Sequence, residues 1–322
     1  MTAPTVVALG GNALLRRGDA GTVFDQLRHA HEAAAAVVAL IARGLAVVVT
    51  HGNGPVVGNI FLRHEHSART VPPMPLDVCG AESQGNIGYL LGIELDNALA
   101  RAGISKTTAT VLTRVLVARN DPAFAKPTKP IGGFFTEEEA RRSPYPVASD
   151  AGRGYRRVVA SPRPQHIIDL AAIRALLDKD LVPIAVGGGG IPVVRRPDGG
   201  LFGIEAVIDK DLASSLLARE LKAEALLILT DIDHVYLDFT SASRRPLTSL
   251  SVTEAEYHLA RGEFLPGSMG PKIEAAIEFL RAGGQRVVVC LPEQLEAALR
   301  GEAGTTISAG AENGKPGAEN GE

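Results

Sequence analysis

Three lysines stand in sequence contexts suited to phosphate binding, and they are spread over more than half of the chain. Lys129 lies in Pro-Thr-Lys-Pro-Ile-Gly, Lys210 in Val-Ile-Asp-Lys-Asp, and Lys272 in Gly-Ser-Met-Gly-Pro-Lys. A lysine ammonium group is a mobile point charge that can follow a phosphoryl group from donor to acceptor. Any one of these lysines alone would be interpreted as a surface residue. The set of three predicts phosphoryl transfer between small molecules.

Two glycine-rich turns near the N-terminus accompany the lysines. They are Gly10-Gly11-Asn12 and His51-Gly52-Asn53-Gly54-Pro55. Glycine lets a backbone approach an oxyanion closely, and backbone N–H groups in such turns bind phosphate. The glycines at 52, 54 and 58 also resemble a weak dinucleotide fingerprint. The acidic residue at about the right distance, Asp77, follows a proline-rich stretch and not a strand. We therefore favour an oxyanion-binding turn.

The chain alternates apolar strand-like stretches with helix-like ones. The predicted strands are Thr5–Leu9, Ala46–Thr50, Thr107–Val117, Val182–Val186, Ala225–Thr230 and, as the last central strand, Arg286–Cys290. The predicted helices are Phe24–Arg43, Glu82–Arg101, His166–Lys179, Leu212–Leu221 and Lys272–Ala282. This rhythm predicts an α/β fold with a mostly parallel central sheet and helices on both faces.

Ligands of such sheets bind beyond the carboxyl ends of the strands. The two glycine-rich turns, Gly187–Gly190 and Asp231 all follow predicted strands. Taken alone, the four consecutive glycines predict only a flexible turn. Their position nevertheless places them at the same edge of the sheet as the two turns.

Two stretches depart from this rhythm. Asp121–Pro164 is rich in Pro, Gly, Arg and aromatic residues, which is typical of a lid or binding loop. Its Tyr-Arg-Arg-Val-Val segment predicts a strand in a small folded subdomain. At the C-terminus, Gly-Ala-Glu-Asn-Gly occurs twice. Such a polar repeat cannot form a core, so residues 308–322 are predicted to be a disordered tail.

Composition excludes several classes of protein. With 322 residues the chain has room for about two domains or lobes. A net charge of −3 and the lack of a basic block argue against nucleic acid as a partner. No apolar run reaches the roughly 18 residues of a transmembrane helix, and no signal peptide is evident, so no membrane partner is expected. The two cysteines, Cys79 and Cys290, are far apart, which predicts neither a metal site nor a disulfide and favours the reducing cytoplasm.

A series of stretches, in order from about Thr5 to Ile307, resembles the carbamate kinases of the amino-acid-kinase superfamily. The stretches include Thr-His-Gly-Asn-Gly-Pro-Val-Val-Gly, Gly-Ala-Glu-Ser-Gln-Gly-Asn-Ile-Gly-Tyr, Lys-Pro-Thr-Lys-Pro-Ile-Gly, Asp-Ala-Gly-Arg-Gly-Tyr-Arg-Arg-Val-Val, Val-Gly-Gly-Gly-Gly-Ile-Pro-Val and Leu-Thr-Asp-Ile-Asp-His-Val-Tyr. The wider superfamily shares the Gly-Gly and Gly-Asn-Gly elements. The Thr-Lys-Pro-Ile-Gly and Ser-Gln-Gly elements are narrower and point to the carbamate kinases themselves.

The resemblance implies a reversible reaction in which ATP and carbamate give ADP and carbamoyl phosphate, with Mg²⁺. It implies an open αβα sandwich, a small protruding lid subdomain and a homodimer. It also implies a kinase domain over residues 1–307, with an N-lobe to about residue 221 for carbamate and carbamoyl phosphate. The lid would be inserted at about 121–164, and a C-lobe at about 222–307 would bind the nucleotide.

The resemblance also assigns residues to roles. Catalysis would fall to Lys129, Lys210, Asp211 and Lys272, with Asp211 organising the lysines and Asp209 ranked below it. The carbamate and the phosphoryl group would bind backbone N–H groups in the glycine turns, and the substrate-binding residues would be Gly10, Gly11, Asn12, Gly52, Asn53 and Gly54. The nucleotide would be bound by Lys210, Asp231, Tyr236, Met269, Gly270 and Lys272. No protein side chain is expected to serve as a dedicated metal ligand.

Three questions stay open at this point. A kinase of the same fold that acts on an amino-acid carboxylate is one alternative, although the Lys129 insertion argues against it. A non-catalytic nucleotide-binding regulator is another, although such a protein would be expected to lack the catalytic lysines. The apolar residues of the Glu82–Arg101 helix could form the dimer contact or pack inside the monomer, because an amphipathic helix buries one face in either case. These residues are Ile87, Leu90, Leu91 and Leu95.

Overall fold

A computed structural model describes residues 3–10, 19, 21–149, 154–239, 241 and 243–310. Its helices are α1 (Val23–Ala42), α2 (Gly54–Ser67), α3 (Leu76–Arg101), α4 (Glu137–Arg142), α5 (Leu170–Asp178), α6 (Lys210–Leu221), α7 (Val252–Ala260), α8 (Met269–Arg281) and α9 (Leu295–Leu299). Its strands are β1 (Thr5–Leu9), β2 (Val47–His51), β3 (Thr108–Thr110), β4 (Arg114–Val117), β5 (Lys129–Phe135), β6 (Val147–Ser149), β7 (Tyr155–Val159), β8 (Pro164–Ile167), β9 (Val182–Ile184), β10 (Ile191–Arg195), β11 (Leu201–Gly203), β12 (Ala225–Leu229), β13 (Val235–Leu237), β14 (Arg245–Leu247), β15 (Ser249–Ser251), β16 (Arg286–Cys290) and β17 (Thr305–Ser308).

The largest sheet of the described residues has eight strands in the order β15-β17-β16-β12-β1-β2-β9-β3. All neighbouring pairs are parallel except β16 and β17, which run antiparallel. The central strands consist of buried apolar residues along their whole length, as expected when helices cover both faces of a sheet. The predicted α/β fold with a mostly parallel central sheet is confirmed.

Alternate residues of β1 show how the two layers of helices are held. Val7 and Leu9 pack with buried residues of α1 and α3 on one face of the sheet. Val6 and Ala8 pack with buried residues of α6 and α8 on the opposite face. Because successive strand side chains point to opposite faces, one short apolar strand contributes to both cores. The sheet therefore lies in the middle of an αβα sandwich.

The predicted strand Thr107–Val117 is wrong, because it is two strands in different sheets. β3 ends the central sheet, whereas β4 belongs to a four-stranded sheet ordered β11-β10-β4-β8. The chain passes between them at Leu112, whose side chain is exposed. Both strands carry apolar residues, so the sequence pattern runs through the break without a change of period.

The predicted helix His166–Lys179 begins too early. Pro164–Ile167 forms β8, antiparallel to β4, and α5 starts only at Leu170. Asp169 lies between them and binds Arg114 through the backbone N–H and the guanidinium group. Pairing with a strand some 50 residues away therefore takes precedence over the local helical pattern.

The predicted end of the central sheet is also wrong. β17 follows β16 along the chain and lies between β15 and β16. Ser308 pairs with Ser251 and Arg286 in this strand, so it does not belong to a tail. Residues 311–322, which hold most of the predicted tail, lie outside the described residues.

Residues 121–164, called here the inserted subdomain, contain a separate antiparallel sheet in the order β5-β7-β6. The predicted Tyr155–Val159 strand is confirmed as its central strand, β7. α4 is closed at its start by a reciprocal capping box between Thr136 and Glu139. Within the described residues of this segment, local caps and strand pairing give it a folded structure of its own.

The apolar face of α3 packs inside the monomer. Ile87, Leu90, Leu91 and Leu95 are at most 4% exposed, and three of them join the core shared with α1. The candidate dimer contact through these four side chains is therefore wrong. The outward face of the helix instead carries exposed Tyr89.

Among the described helices, none combines the length and the apolar character needed to span a bilayer.

Candidate active site

Two lysines from different helices meet on one aspartate. Lys210 Nζ lies 2.6 Å from Oδ1 of Asp211, and Lys272 Nζ lies 3.0 Å from Oδ2. Lys210 and Asp211 open α6, whereas Lys272 lies in the first turn of α8. All three side chains are largely buried, with at most 12% of the side chain exposed. Asp211 thus bridges two of the three lysines, and its role in organising them for catalysis stays a prediction.

The third lysine is held by the other aspartate. Lys129 Nζ, at the start of β5, lies 2.5 Å from Oδ2 of Asp209. Asp209 is the N-cap of α6, and its Oδ1 accepts the backbone N–H of Asp211 at 2.9 Å. An aspartate at this position satisfies an N–H group that has no partner within the helix. Asp209, which the sequence analysis ranked lower, thus connects the inserted subdomain to the helix that carries Lys210.

Burial and charge act against each other at these groups. Burial would raise the pKa of the Asp209 carboxyl, but the neighbouring positive charges of Lys129 and Lys210 outweigh burial and lower it. The same balance, with Lys210 and Lys272 as the cations, strongly lowers the pKa of Asp211. Burial lowers the pKa of Lys210, and Asp211 only partly offsets this effect. For Lys272, burial alone would lower the pKa, but the hydrogen bond to Asp211 and the attraction of Asp211, Asp209 and Asp231 together outweigh burial and raise it.

Gly10 and Gly52 directly follow the carboxyl ends of the adjacent strands β1 and β2, as predicted. The backbone N–H groups of these two glycines are not available to a ligand, however. The N–H of Gly10 donates to the carbonyl of Leu229 at 2.8 Å, and the N–H of Gly52 donates to the carbonyl of Leu9 at 3.0 Å. The parallel ladder continues one residue beyond each strand and uses these donors. The expectation that these two N–H groups bind an oxyanion is therefore corrected. Gly11 and Asn12 lie outside the described residues.

Asn53 and Gly54 remain well placed for binding an anion. Asn53 is the N-cap of α2, and Gly54 is its first residue. The first N–H groups of a helix have no acceptor within it and favour negative charge. α2 is followed by α3 and not by a strand, so the dinucleotide interpretation lacks its βαβ unit.

The Ser-Gln-Gly element forms a buried polar brace that the sequence analysis did not include among the site residues. Asn53 Nδ2 donates to Ser83 Oγ at 2.8 Å. Gln84 Nε2 donates to the carbonyls of Thr113 and Gly187, and Gln84 Oε1 accepts the backbone N–H of Thr113. A Gln with three buried hydrogen bonds fixes the relative position of three chain segments. Within the superfamily, the Ser-Gln-Gly element points to the carbamate kinases themselves. This restriction was the signal in the sequence that could have identified the element as part of the site.

The four consecutive glycines are a packed element, which corrects their interpretation as a flexible turn. A Cβ on Gly187 would lie 2.4 Å from His51, and one on Gly188 would lie 2.1 Å from Asn53. The preceding residue, Val186, has a positive φ of 54° although it is β-branched. Such a conformation costs on the order of 1–3 kcal/mol and persists only when the surroundings enforce it. The backbone of these glycines thus packs closely against the side chains of His51 and Asn53 and holds them in place.

The predicted nucleotide residues are only partly brought together. Asp231 follows β12, and its negative charge contributes to the raised pKa of Lys272. Met269 and Gly270 are the first two residues of α8, the helix that carries Lys272. The N–H of Gly270 donates to the carbonyl of Leu265 at 3.0 Å. The Tyr236 hydroxyl donates to Asp233 at 2.9 Å. In the described part of the chain, Tyr236 is not placed in contact with any of the three lysines.

The chain is similar to known proteins over nearly its whole length. Residues 3–290 match the model of the amino acid kinase family. A carbamate kinase of Pyrococcus horikoshii is 43% identical over 309 residues, which cover 94% of this chain and 98% of the relative. A carbamate kinase of Halobacterium salinarum is 46% identical over 307 residues, covering 94% and 97%. The structure of the carbamate kinase of Giardia lamblia bound to AMP-PNP superposes with a TM-score of 0.87 at 40% identity, covering 95% of this chain and 98% of that one. The chain belongs to the amino acid kinase family and, within it, to the carbamate kinases.

Proposed function

We propose that the protein transfers a phosphoryl group reversibly between ATP and carbamate, giving ADP and carbamoyl phosphate. The observation that carries the proposal is the arrangement of the three lysines on Asp209 and Asp211, at the sheet edge where α/β proteins bind ligands. The names and near-complete coverage of the relatives support the same activity.

The chemistry suits a site built from cations. In the forward direction, a carbamate oxygen forms a bond to the γ-phosphorus, and the bond from that phosphorus to the β–γ bridging oxygen breaks, releasing ADP. The nucleophile is already an anionic oxygen, so no general base is required. Catalysis then depends on positioning and on stabilising the charge of the phosphoryl oxygens. Each preorganised donor of this kind contributes about 3–4 kcal/mol.

The residues divide naturally between the two substrates. We assign Lys129, Lys210 and Lys272 to the phosphoryl group, with Asp211 fixing the last two at its two oxygens. The α2 N-terminus at Asn53 and Gly54 would bind carbamate. Residues up to about 221 would form the carbamate lobe and those from about 222 to 307 the nucleotide lobe, in which Asp231, Tyr236, Met269 and Gly270 would contact ADP or ATP.

Magnesium would arrive with the nucleotide as MgADP or MgATP. Mg²⁺ in kinases is held largely by substrate phosphates and water, with one or two protein carboxylates at most. Both oxygens of Asp211 already bind lysines. No group of three His, Cys, Asp or Glu side chains among the described residues could hold an ion.

We also propose a homodimer in the cytoplasm. Exposed Tyr89 and Ile93, four residues apart on the outward face of α3, replace the buried residues of that helix as candidates for the contact. Both cysteines are free thiols, which suits a reducing compartment.

A substrate panel tests the proposal against an amino-acid kinase of the same fold. ADP would be offered with carbamoyl phosphate or with acetyl phosphate. ATP would be offered with aspartate, glutamate or N-acetylglutamate. Turnover with carbamoyl phosphate at least about a hundredfold above every other substrate is expected, since transition-state contacts of a few kcal/mol separate good substrates from poor ones. Faster turnover with an amino acid would show that the acceptor is an amino-acid carboxylate and not carbamate. Tight ATP binding without turnover of any substrate would favour a non-catalytic regulator.

A further inference from the structure

One face of α2 is in contact with the inserted subdomain along its length. Gly58, Phe61 and Glu65 are spaced at i, i+3 and i+7, so they form a single stripe on the helix. At Gly58 the backbones touch, because a Cβ there would lie 2.0 Å from Cα of Gly132 in β5. Phe61 and Glu65 both contact the same residue of β7, Arg157.

The Arg157 guanidinium group is held on several sides. Its Nη1 donates to Oε1 of Glu65 at 2.8 Å. Its Cζ lies 4.3 Å from the ring centre of Phe61 and 3.5 Å from that of Tyr145. The hydrogen bond between Tyr145 and Glu65, together with burial, raises the pKa of the Tyr145 hydroxyl. Only 15% of the Arg157 side chain is exposed, and the attraction between a cation and an aromatic ring is stronger when it is largely removed from water.

Arg157 is also close to Lys129 through the sheet. It pairs across the strands with Ile131, two residues from Lys129, and Lys129 itself pairs with Val159. Ile131 is 2% exposed and belongs, with Val159, to the core that contains residues of α2. The other end of α2 begins at the turn proposed to bind carbamate. α2 therefore links the position of Lys129 to that of the bound substrate.

We propose that Arg157 is a positioning residue that acts through Lys129. By fixing β7 on Phe61 and Glu65, it holds the start of β5 where the Lys129 ammonium group reaches Asp209 and the phosphoryl group. This role rests on the proposed function, and Arg157 itself does not touch the substrates. A lysine could bind Glu65, but its ammonium group lacks the planar surface with which a guanidinium group stacks on aromatic rings such as Phe61 and Tyr145.

The test is a double-mutant cycle on kcat for ATP formation. Arg157→Met retains apolar bulk between the rings, and Glu65→Gln removes only the charge. In the wild-type background each should lower kcat, Arg157→Met by about tenfold or more, because small misplacements of a catalytic group are costly. The KM for ADP should stay within about twofold. In the Lys129→Ala background, Arg157→Met should have almost no further effect, since coupled residues are not additive. Arg157→Lys should restore part of kcat.

Arg141→Met is the matched control, because this arginine of the same subdomain is 76% exposed and its ion pair within the described residues is with Glu137, one helical turn away. It should leave kcat unchanged.

Equal losses of kcat from Arg157→Met in the wild-type and Lys129→Ala backgrounds would show that Arg157 merely supports the fold and would overturn the proposal. An unchanged kcat in both Arg157→Met and Glu65→Gln would overturn it as well. If Arg157→Met does not fold, Glu65→Gln carries the cycle. A wild-type protein that forms no ATP would instead refute the proposed function. In that case hydrogen exchange decides the inference: faster exchange of residues 129–135 in Glu65→Gln supports it, and unchanged exchange overturns it.

Discussion

Lys129 and Asp209 are 80 residues apart in the chain, yet the lysine ammonium group lies 2.5 Å from a carboxylate oxygen of the aspartate. The same aspartate caps the helix that begins with Lys210 and Asp211. One carboxylate therefore places the lysine of the inserted subdomain beside the pair formed by Lys210 and Lys272.

Asp209→Asn should separate the capping role of this residue from its charge. Asparagine caps helices about as well as aspartate, so the cap of α6 should be kept and the melting temperature of the protein should change little. The loss of the ionic partner of Lys129 should lower kcat by on the order of tenfold or more, since a hydrogen bond to a charged group contributes about 1.5–3 kcal/mol. Asp209→Ala should lose the cap as well, with a further loss of about 0.5–2 kcal/mol in the free energy of unfolding. Equal melting temperatures for the two variants would argue against the capping role.

Lys129 and Lys272 should differ in their kinetic effects. Lys272 lies in the first turn of α8 beside the proposed nucleotide site, so Lys272→Ala should raise the KM for nucleotide and also lower kcat. Lys129→Ala should mainly lower kcat, by roughly a hundredfold or more, as expected for a contact made in the transition state. Calorimetry should find nucleotide binding nearly intact in Lys129→Ala. A near-normal kcat in this variant would remove Lys129 from the mechanism.

His51 should make stability depend on pH in a defined range. Burial, with a smaller contribution from the charge of Lys210, lowers the pKa of the His51 imidazole from 6.5 to about 4. Between these values the unfolded chain binds a proton that the folded protein does not. Stability is therefore lost as the pH falls from 6.5 to 4, by on the order of 3 kcal/mol at about 1.4 kcal/mol per pKa unit.

Urea unfolding of the wild type and His51→Gln across this range measures the effect. The variant should show a shallower fall in unfolding free energy between pH 6.5 and 4, whereas the two curves should run parallel above pH 7. Identical slopes in the acidic range would show that His51 is not the group responsible.

The two cysteines should be unreactive in the folded protein. Cys79 and Cys290 are fully buried, and burial raises the pKa of the Cys79 thiol to about 11 and that of Cys290 to about 12. At pH 8 about one thiol in a thousand or fewer would be ionised, and the thiolate is the reactive form. Titration with a chromogenic disulfide should detect no thiol in the native protein and two after denaturation in guanidinium. Rapid reaction of either thiol in the native state would reveal an opening of the surrounding core.

The sequence predicted the features that depend on local pattern. The buried apolar runs of β1, β2 and β12, and the position of Gly52–Gly54 at the end of β2, follow directly from residue type. Features that depend on distant pairing were missed or misplaced. β17 lies between β15 and β16, and the N–H groups of Gly10 and Gly52 are used by neighbouring strands. Such contacts are set by tertiary packing, which overrides local preference.

The residues of the site divide in the same way, into those that local motifs predict and those that depend on packing between distant segments. The three lysines and Asp211 could be chosen from their motifs. The pairing of Asp209 with Lys129 could not, because it depends on where the packing of β5 against α2 places Lys129 relative to the start of α6. The positive φ of Val186 is likewise invisible in the sequence, since a β-branched residue rarely adopts that conformation.

The decisive measurement of carbamate kinase activity is ATP formation from ADP and carbamoyl phosphate. Purified wild-type protein with Mg²⁺ would be followed by a luciferase assay, alongside Lys272→Ala and a sample with EDTA. The rate of ATP formation should be proportional to the amount of enzyme. It should be strongly reduced in Lys272→Ala and lost when EDTA chelates the Mg²⁺. No ATP above the non-enzymatic background, from protein shown to be folded by a cooperative melting transition, would contradict it.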